Sequence, residues 1–387
     1  MFSALSVEEI LSYVTNNLWE CVLAVLLLVI LIYELYFLLR YLRAGAQVTP
    51  LNEAAELPGV SVIVCARNEE ENLQDYLHNL LTQDYPQYEV IVVDDGSEDQ
   101  TRMILEQYAR QSTKLYHTFV PQGARVISSK KLALTIGIKA AHYDYILLTD
   151  ADCRPESNTW IREMMGGFVD ANTEVVLGFS PYFEHDTLLS RLISYDTLWS
   201  GLLYMGMART GHPYMGVGRN LAYRRGTFFA HNGFQGLLSE RSGDDDLFVN
   251  KVATKKNTSV VCSRGSLTWS SPKKTWREWM QQKRRHLSVS PLYRASSKLR
   301  IGIEPLMRGL LYGLLIVCTA CGSWCTYAAL GVWLLRYLVQ WIILSVATWR
   351  FGLKHFGIEM IVYDLVLPII TLYILITKKL RRVPIYW

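Results

Sequence analysis

The sequence contains few cysteines, and they do not form a metal-binding pattern. Only seven occur among 387 residues. Cys318, Cys321 and Cys325 fall in an apolar stretch without a nearby histidine, and the other four are scattered. Structural zinc sites need closely spaced Cys and His ligands. The pattern therefore argues against a zinc site and predicts reduced thiols.

A strong net charge is also missing. The formal net charge is only +4 at pH 7, and the main basic run, residues 273–285, lies just before a long apolar region. Basic residues next to an apolar segment are typical of a surface that meets anionic lipid. We therefore expect membrane lipids as partners and no nucleic acid.

The first long apolar run, residues 18–39, lacks the features of a signal peptide. Acidic residues precede it instead of a basic leader, and no small-residue cleavage site follows it. It has the roughly 20 residues that a membrane-spanning helix needs. Arg40 and Arg43 follow directly. These features predict an N-terminal anchor over residues 1–45. The positive-inside rule then places the part of the chain after Arg40 in the cytoplasm.

Apolar sequence returns at residues 305–377, which predicts two or three further spans. Residues 309–349 carry only one charge, that of Arg336, and suffice for a helical hairpin that turns near Gly331. Residues 360–377 form a third candidate. The segment 331–349 is the weakest, because it contains both Arg336 and Gln340.

A short basic tail, residues 378–387, follows this region. Two crossings would return the tail to the cytoplasmic side, whereas three would leave it outside, against the positive-inside rule. The ends of the chain thus predict a multi-pass protein of the cell (inner) membrane with a cytoplasmic domain in between.

Between residues 58 and 180 the pattern alternates between strands and helices. The predicted strands are 60–65, 90–93, 114–119 and 145–148, and the predicted helices are 70–81, 101–111 and 130–141. This alternation indicates an α/β domain with a mostly parallel sheet. In such sheets ligands bind at the carboxyl ends of the strands.

Polar clusters stand at those strand ends. They are Ala66-Arg67-Asn68-Glu69 after the first strand, Asp94-Asp95-Gly96-Ser97 after the second, and Thr149-Asp150-Ala151-Asp152 after the fourth. Taken alone, Asp-Asp-Gly-Ser is typical of a turn that caps a helix. Acidic pairs at two strand ends of one rim, however, repel one another unless a cation or hydrogen-bond donors offset their charge.

The spacing of Asp150 and Asp152 suits a metal ion. Side chains two residues apart in an extended segment point the same way, so both carboxylates can address one hard cation, either Mg²⁺ or Mn²⁺. An ion held there would offset the charge that develops on a diphosphate leaving group. The pattern therefore predicts a metal-assisted group transfer.

These motifs resemble those of the membrane-anchored family 2 glycosyltransferases, related to the hyaluronan- and cellulose-type synthases, over residues 60–290. The resemblance implies a GT-A fold in a catalytic domain over residues 58–290. It also implies a transfer that inverts the anomeric centre, from a nucleotide-sugar donor to a lipid-linked or growing glycan acceptor.

The resemblance assigns roles to several residues. On the donor side it implies contacts from Ala66, Asn68, Glu69, Asp94, Asp95, Lys130, Lys131, Asp150, Gln282 and Arg285, and on the acceptor side contacts from Gly218, Asn220 and His286. Asp150 and Asp152 would hold the metal ion. His286 stands where processive synthases of the family have a tryptophan, which weakens the resemblance to a processive enzyme.

The resemblance leaves the catalytic base open between two neighbouring residues of Gly243-Asp244-Asp245-Asp246. Keeping the glycine in register with hyaluronan-type synthases selects Asp245, whereas counting back from Leu247 selects Asp244. Asp245 is our expectation. A helix start that carries acids because they suit its dipole is the structural alternative.

Two segments have the composition of interfacial helices, namely residues 188–207 and 273–286. For the first, a buried core helix is an equal alternative. Among functions, the alternatives to a simple transferase are a processive polysaccharide synthase and a catalytically silent membrane protein that binds nucleotide sugar as a scaffold.

Overall fold

The computed structural model describes residues 17–45, 57–121, 129–238, 240, 242–322 and 324–378. The predictions for residues 1–16 and for most of the basic tail lie outside these ranges.

A seven-stranded mixed sheet forms the centre of the domain. Its strand order is β3-β2-β1-β4-β7-β6-β8, with parallel pairing from β3 through β4 and antiparallel pairing of β7 with both β4 and β6. A separate two-stranded sheet joins β5 to β9. The strands are β1 (Val60–Ala66), β2 (Tyr88–Asp94), β3 (Leu115–Phe119), β4 (Tyr145–Asp150), β5 (Cys153–Pro155), β6 (Val175–Leu177), β7 (Leu221–Arg224), β8 (Thr258–Val260) and β9 (Thr268–Ser270).

Helices cover both faces of the sheet. Every residue of β1 is buried, which explains its nearly continuous run of β-branched and small residues. Val62 and Val64 pack into the core on one face, and Ile63 and Cys65 pack into the core on the other. The helices of the domain are α2 (Glu70–Leu81), α3 (Thr101–Gln111), α4 (Ser129–Ala140), α5 (Trp160–Met165), α6 (Leu188–Arg209), α7 (Arg225–Ala230), α8 (Asp246–Val252) and α9 (Trp276–Val289).

Four helices in the described ranges are long and apolar enough to cross a membrane. They are α1 (Leu18–Gly45), α10 (Ala295–Cys321), α11 (Cys325–Phe351) and α12 (Glu359–Lys378). The predicted hairpin turn near Gly331 is wrong, because Gly331 lies inside α11. The chain turns instead at Gly322, whose φ of +63° is a left-handed conformation that glycine adopts without strain.

Helix α6 is a core helix along most of its length, which favours the second of the two alternatives for residues 188–207. It packs closely on α1: a Cβ on Gly206 would stand 2.5 Å from the carbonyl oxygen of Arg40. The rings of Tyr41 and Trp199 stack with their centroids 4.5 Å apart. Helix α6 therefore attaches the sheet domain to the first apolar helix.

The polar residues that weakened the prediction for segment 331–349 face the interior of the helix bundle. The guanidinium of Arg336 lies 2.9 Å from Glu34 of α1 and 3.1 Å from Asp364 of α12. Gln340 donates a hydrogen bond of 2.7 Å to the hydroxyl of Tyr195 in α6. Because these partners come from other helices, the sequence of α11 alone does not reveal that its charge is neutralised.

Candidate active site

The strand register brings the predicted acidic clusters to one rim of the sheet. The last residue of β1, Ala66, pairs with Asp94, and the preceding Cys65 pairs with Asp150. The carboxyl ends of β2 and β4 therefore flank the end of β1. The first turn after β1 and the acids of both neighbouring strands meet there, as the sequence predicts for a parallel sheet.

Hydrogen bonds tie the loops after β1 and β2 together. Asp94 accepts bonds of 2.9 and 2.7 Å from the backbone N–H and the hydroxyl of Ser97. The same hydroxyl accepts the N–H of Asn68 at 2.9 Å, and the Asn68 side chain accepts the N–H of Glu98. Asn68 adopts a φ of +55°, a left-handed conformation that asparagine tolerates. These contacts fix the open edge of the rim beside Asp94.

Glu69 and Asp95 are the other two acids of this edge. Burial raises the pKa of Glu69 to about 7, with the nearby carboxylates of Asp152 and Asp150 adding to the effect. The carboxylate of Asp95 is buried, with the guanidinium of Arg67 3.9 Å away. A positive charge bound at the rim would therefore favour the ionised form of Glu69.

Asp152 is held by the small second sheet. Cys153 of β5 pairs with Ser270 of β9, and the Ser270 hydroxyl donates a bond of 2.9 Å to Asp152. Among the described residues no cluster of three or more metal-ligating side chains occurs. Two carboxylates completed by phosphate oxygens and water are, however, the donor set by which Mg²⁺ is commonly bound next to nucleotides. Asp150 and Asp152 fit such an ion.

Lys130 connects the acids of the rim. Its ammonium lies 2.8 Å from a carboxylate oxygen of Asp150 and 3.4 Å from one of Asp244. Burial opposes its charge, but Asp150 and Asp244 raise the pKa of Lys130 well above its ordinary value. The residue is thus a fixed cation between Asp150 of the predicted metal site and Asp244 of the third acidic cluster.

The neighbouring Lys131 has different partners. Its ammonium is fully buried and donates bonds of 2.6 and 2.7 Å to the backbone carbonyls of Glu240 and Ser242. It thereby holds the loop that precedes the third acidic cluster. Of the two lysines predicted to contact the donor, only Lys130 therefore has its ammonium at the acids of the rim.

The third acidic cluster is a tight turn at the start of α8. Gly243 has a φ of +87°, which a residue with a side chain rarely adopts, and a Cβ there would stand 2.5 Å from Leu247. Burial opposes ionisation of Asp244, but the ammonium groups of Lys130 and Lys131 hold its pKa below the ordinary value. Asp244 is therefore an ionised carboxylate that faces the rim.

Asp245 and Asp246 are engaged in structural hydrogen bonds. Asp245 caps α8 by accepting the N–H of Asp246 at 2.7 Å, and its other oxygen accepts the N–H of Gly218 at 2.7 Å. Burial and the charge of Asp244 raise its pKa. Asp246 accepts a bond of 2.6 Å from the Tyr293 hydroxyl. Burial, followed by the charge of Asp245, raises the pKa of Asp246 to about 7.

Helix α9 carries three residues for which the resemblance implies substrate contacts, namely Gln282, Arg285 and His286. It starts with a capping box between Thr275 and Glu278. The amide of Gln282 donates to the hydroxyl of Tyr182 at 3.1 Å. The charge of the half-buried Arg285 lowers the pKa of Asp244, so this guanidinium faces the acidic turn. His286, one residue further, is exposed.

Arg219 is a residue of the site that no role was assigned to from the sequence. Its guanidinium lies 4.2 Å over the ring of Tyr182 and donates to the carbonyl of Ser180 at 3.0 Å. Its Nη1 is buried, with no hydrogen-bond partner in the described part of the chain. The charges of Asp152 and Asp150 contribute to a raised pKa of Arg219, although burial opposes its charge. Arg219 is recognised as a residue of the site because this Nη1 donor is unused and the carboxylates of Asp150 and Asp152 are near enough to affect its pKa.

Asn220 organises this turn from inside the domain. Its side chain is fully buried, donates to the carbonyls of Phe179 and Ser266 at 2.8 and 2.7 Å, and accepts the indole N–H of Trp160 at 3.1 Å. The predicted acceptor contact would thus come from the turn at Gly218 and not from the Asn220 side chain.

Comparisons with known proteins identify the domain that carries this rim. Residues 61–236 match the family model described as "Glycosyl transferase family 2". The matched residues, a little under half of the chain, are similar to a family 2 glycosyltransferase domain. The match includes β1, β2, β4 and both acidic clusters at their ends, and it confirms the resemblance drawn from the motifs.

Curated relatives match a shorter stretch. The poly-beta-1,6-N-acetyl-D-glucosamine synthase of Staphylococcus epidermidis is 32% identical over 117 residues, which is 30% of this chain and 27% of that protein. The synthase of the same description from Staphylococcus aureus strain COL is 31% identical over the same shares. The match therefore spans about a quarter of the length of these relatives.

A solved structure extends the likeness in fold to nearly the whole chain. It is a mannosyltransferase from Pyrobaculum calidifontis in complex with GDP-Man and Mn²⁺, with a TM-score of 0.57 and 18% identity over 91% of this chain and 99% of that one. The likeness confirms the predicted GT-A fold.

Proposed function

We propose that this protein is an inverting, metal-dependent glycosyltransferase. It moves a sugar from a nucleotide-sugar donor to a lipid-linked or growing glycan acceptor. The observation that carries the proposal is the meeting of Asp94, Asp150 and Asp244 at one rim, with Lys130 between the last two. Such a concentration of acids around a fixed cation suits a bound diphosphate and its metal ion.

The donor would bind across the carboxyl ends of β1, β2 and β4. Asp94 and the loop around Asn68 offer acceptors to the nucleoside, as does Asp95. Asp150 and Asp152 would hold Mg²⁺ or Mn²⁺, which supplies charge neutralisation at the diphosphate when bound. The structural neighbour was solved with GDP-Man and Mn²⁺, which supports this pairing of ligands.

Cationic side chains would bind the leaving diphosphate. Lys130 already stands at Asp150, and the spare donor of Arg219 lies near the same carboxylates. Arg285 approaches from α9, where a guanidinium can make a forked contact with phosphate oxygens. Gln282 of the same helix would contact the donor, and the exposed His286 would lie on the acceptor side.

We assign the catalytic base to Asp244 in preference to Asp245, which the sequence favoured. Asp244 is ionised and adjoins Lys130, whereas both oxygens of Asp245 accept backbone N–H groups. A base must reach the acceptor hydroxyl with a free oxygen. Asp244 would take the proton of the acceptor hydroxyl. The oxygen of that hydroxyl would attack the anomeric carbon on the side opposite the diphosphate.

We further propose that α1, α10, α11 and α12 place the protein in the inner cell membrane with the catalytic domain over residues 58–290 on the cytoplasmic side. The anchor would comprise residues 1–45 and the C-terminal region residues 305–377. Arg40 directly follows the apolar core of α1, and nucleotide sugars are made in the cytoplasm.

Release of nucleoside diphosphate tests the proposal. The purified full-length protein in detergent would be screened against UDP- and GDP-sugars with Mg²⁺, Mn²⁺ or EDTA, because weak donor hydrolysis requires no known acceptor. We expect metal-dependent release from at least one donor that Asp244→Asn abolishes. Binding of a donor without any release, even when lipid-linked acceptors are added, would favour the silent scaffold. Long products from a supplied acceptor would favour the processive synthase.

A further inference from the structure

A basic cleft lies beside the end of α8, whereas the acidic turn lies at the start of that helix. It has a volume of about 160 Å³ and is formed where the end of α6, the end of α8 and the start of α10 meet. Its lining residues are Met207, Gly211, His212, Pro213, Ala253, Thr254, Lys255, Arg294, Ser296, Ser297 and Arg300. None of these residues is acidic.

The positive charges of the cleft are not neutralised by neighbouring acids. Lys255, Arg294 and Arg300 take part in none of the ion pairs between described residues. Burial, followed by the charges of Arg300, Arg40 and Lys255, lowers the pKa of His212. An anion in the cleft would therefore meet several cations and no competing carboxylate.

Local geometry aims these groups at the cleft. Gly211 has a φ of +84°, and a Cβ there would stand 2.8 Å from the Lys255 side chain, so the lysine stem lies across the glycine. The guanidinium of Arg294 is fixed by the carbonyls of Pro213 and Ala253, each 3.2 Å away. Ser296 and Ser297 add hydroxyls from the first turn of the 27-residue helix α10, and this turn contains no acidic residue.

The cleft lies beside the end of α1 and the start of α10, where these two apolar helices would leave the bilayer in the membrane arrangement proposed above. Met207, which lines it, accepts a hydrogen bond of 3.3 Å from Arg40 at the end of the apolar part of α1. Arg300 stands on α10 before that helix becomes continuously apolar. Basic pockets at this level between membrane helices are suited to the head groups of anionic lipids.

We propose that this cleft binds a phosphate group, supplied by the head group of an anionic membrane lipid. The site is distinct from the acidic rim, because α8 begins directly after Asp245 of the acidic turn, whereas Ala253, which follows the last residue of α8, lines the cleft. A bound lipid would connect α6, α8 and α10 at the membrane surface. The site depends on neither the donor nor the proposed transfer.

Lipid titration of the detergent-purified full-length chain tests this site. The probes are dioctanoyl-phosphatidylglycerol, the zwitterionic dioctanoyl-phosphatidylcholine and inorganic phosphate. The double variant Lys255→Gln/Arg300→Gln removes two cleft cations while leaving the bonded Arg294 in place. The matched control Lys256→Gln/Lys298→Gln removes two exposed charges that stand next to the cleft but do not line it.

We expect the cleft variant to bind phosphatidylglycerol at least roughly tenfold more weakly than the native chain, as the loss of two cations near a lipid surface implies. The control should bind it like the native chain. Stronger binding of phosphatidylglycerol than of inorganic phosphate identifies a lipid as the source, and equal binding identifies a soluble phosphate. The proposal would be overturned if both double variants weakened phosphatidylglycerol binding equally. It would also be overturned if the native chain bound neither phosphatidylglycerol nor inorganic phosphate saturably.

Discussion

Both carboxylate oxygens of Asp196 lie 2.8 Å from the ammonium nitrogen of Lys283. Asp196 belongs to α6, and Lys283 stands between Gln282 and Arg285 on α9. The pair is largely enclosed, with each side chain only 17% exposed. It therefore fixes the helix that faces the acidic turn to the helix that packs against α1.

Asp196 should act as a positioning residue for α9. Asp196→Asn removes the charge that holds Lys283, so Arg285 would be held less firmly at the site. We expect kcat to fall by about ten- to a hundredfold, because small displacements of binding groups lower the rate by such factors. The KM for donor should change less. Asp196→Glu should restore part of the rate. Asp186→Asn, which breaks an exposed pair with Lys354, is the control and should leave kcat unchanged.

Asp152→Ala should remove metal-dependent binding of nucleoside diphosphate. The variant loses one of two predicted metal ligands, and we expect affinity in the presence of Mn²⁺ to fall by more than roughly tenfold. Calorimetric titration with and without the metal measures the effect. Asp75→Ala, at an exposed position on α2, is the control. Unchanged metal-dependent affinity in a folded Asp152 variant would refute the metal assignment.

The neighbouring acids Asp244 and Asp245 should respond differently to amide substitution. Asp244→Asn should bind donor normally while transfer falls by roughly 10²- to 10⁴-fold, the usual contribution of a positioned base. Asp245→Asn retains a capping oxygen but loses one backbone contact, so we expect a lower unfolding temperature and a milder loss of rate. The reverse order of the two rates would return the base to Asp245, as the glycine register predicts.

Asp246 should make stability depend on pH. Its pKa is about 7 in the folded chain against an ordinary value of 3.8. Between these values the folded state holds a proton that the unfolded state has released, so stability falls as pH rises from about 4 to about 7 and then levels off. The contribution is on the order of a few kcal/mol. Thermal unfolding of Asp246→Asn should show a flatter profile; an equally steep one would assign the slope to other groups.

The proposed orientation can be tested with cysteines on the two sides of the membrane. Gln235→Cys, at an exposed position of the catalytic domain, should resist a membrane-impermeant thiol reagent in intact cells and react after permeabilisation. The native Cys321 is exposed at the far end of α10 and should react without permeabilisation. Labelling of the engineered cysteine in intact cells, with Cys321 replaced by serine, would contradict the orientation.

The parallel core and its acidic rim could be predicted because their signals are local. Strand periodicity gives β1, β2 and β4, and the carboxyl ends of parallel strands must share an edge, so Asp94 and Asp150 are brought together by topology alone. The different roles of the neighbouring residues Asp244 and Asp245 could not be predicted in this way. It depends on a left-handed Gly243 and on the N–H of Gly218, which is distant in sequence.

In the membrane region, too, features that depend on contacts between distant residues could not be predicted from the sequence. Composition locates the apolar segments, but the turn at Gly322 and the interior position of Gln340 follow from packing between helices. Similarly, α6 has the mixed composition of an interfacial helix. Only its contacts with α1 and with the sheet domain identify it as part of the core.

The pairing of Arg336 has a consequence for how the chain is made. An isolated arginine in the middle of a membrane helix costs about 2.5 to 3.5 kcal/mol on insertion. One of its partners, Glu34, is synthesised long before α11, whereas Asp364 emerges only afterwards. Helix α11 would therefore enter the bilayer beside an already inserted α1 and acquire its second carboxylate last. In a nascent chain that ends before Asp364, Arg336 would have only one of its two carboxylate partners. Quality-control proteases of the membrane would be expected to degrade such a chain.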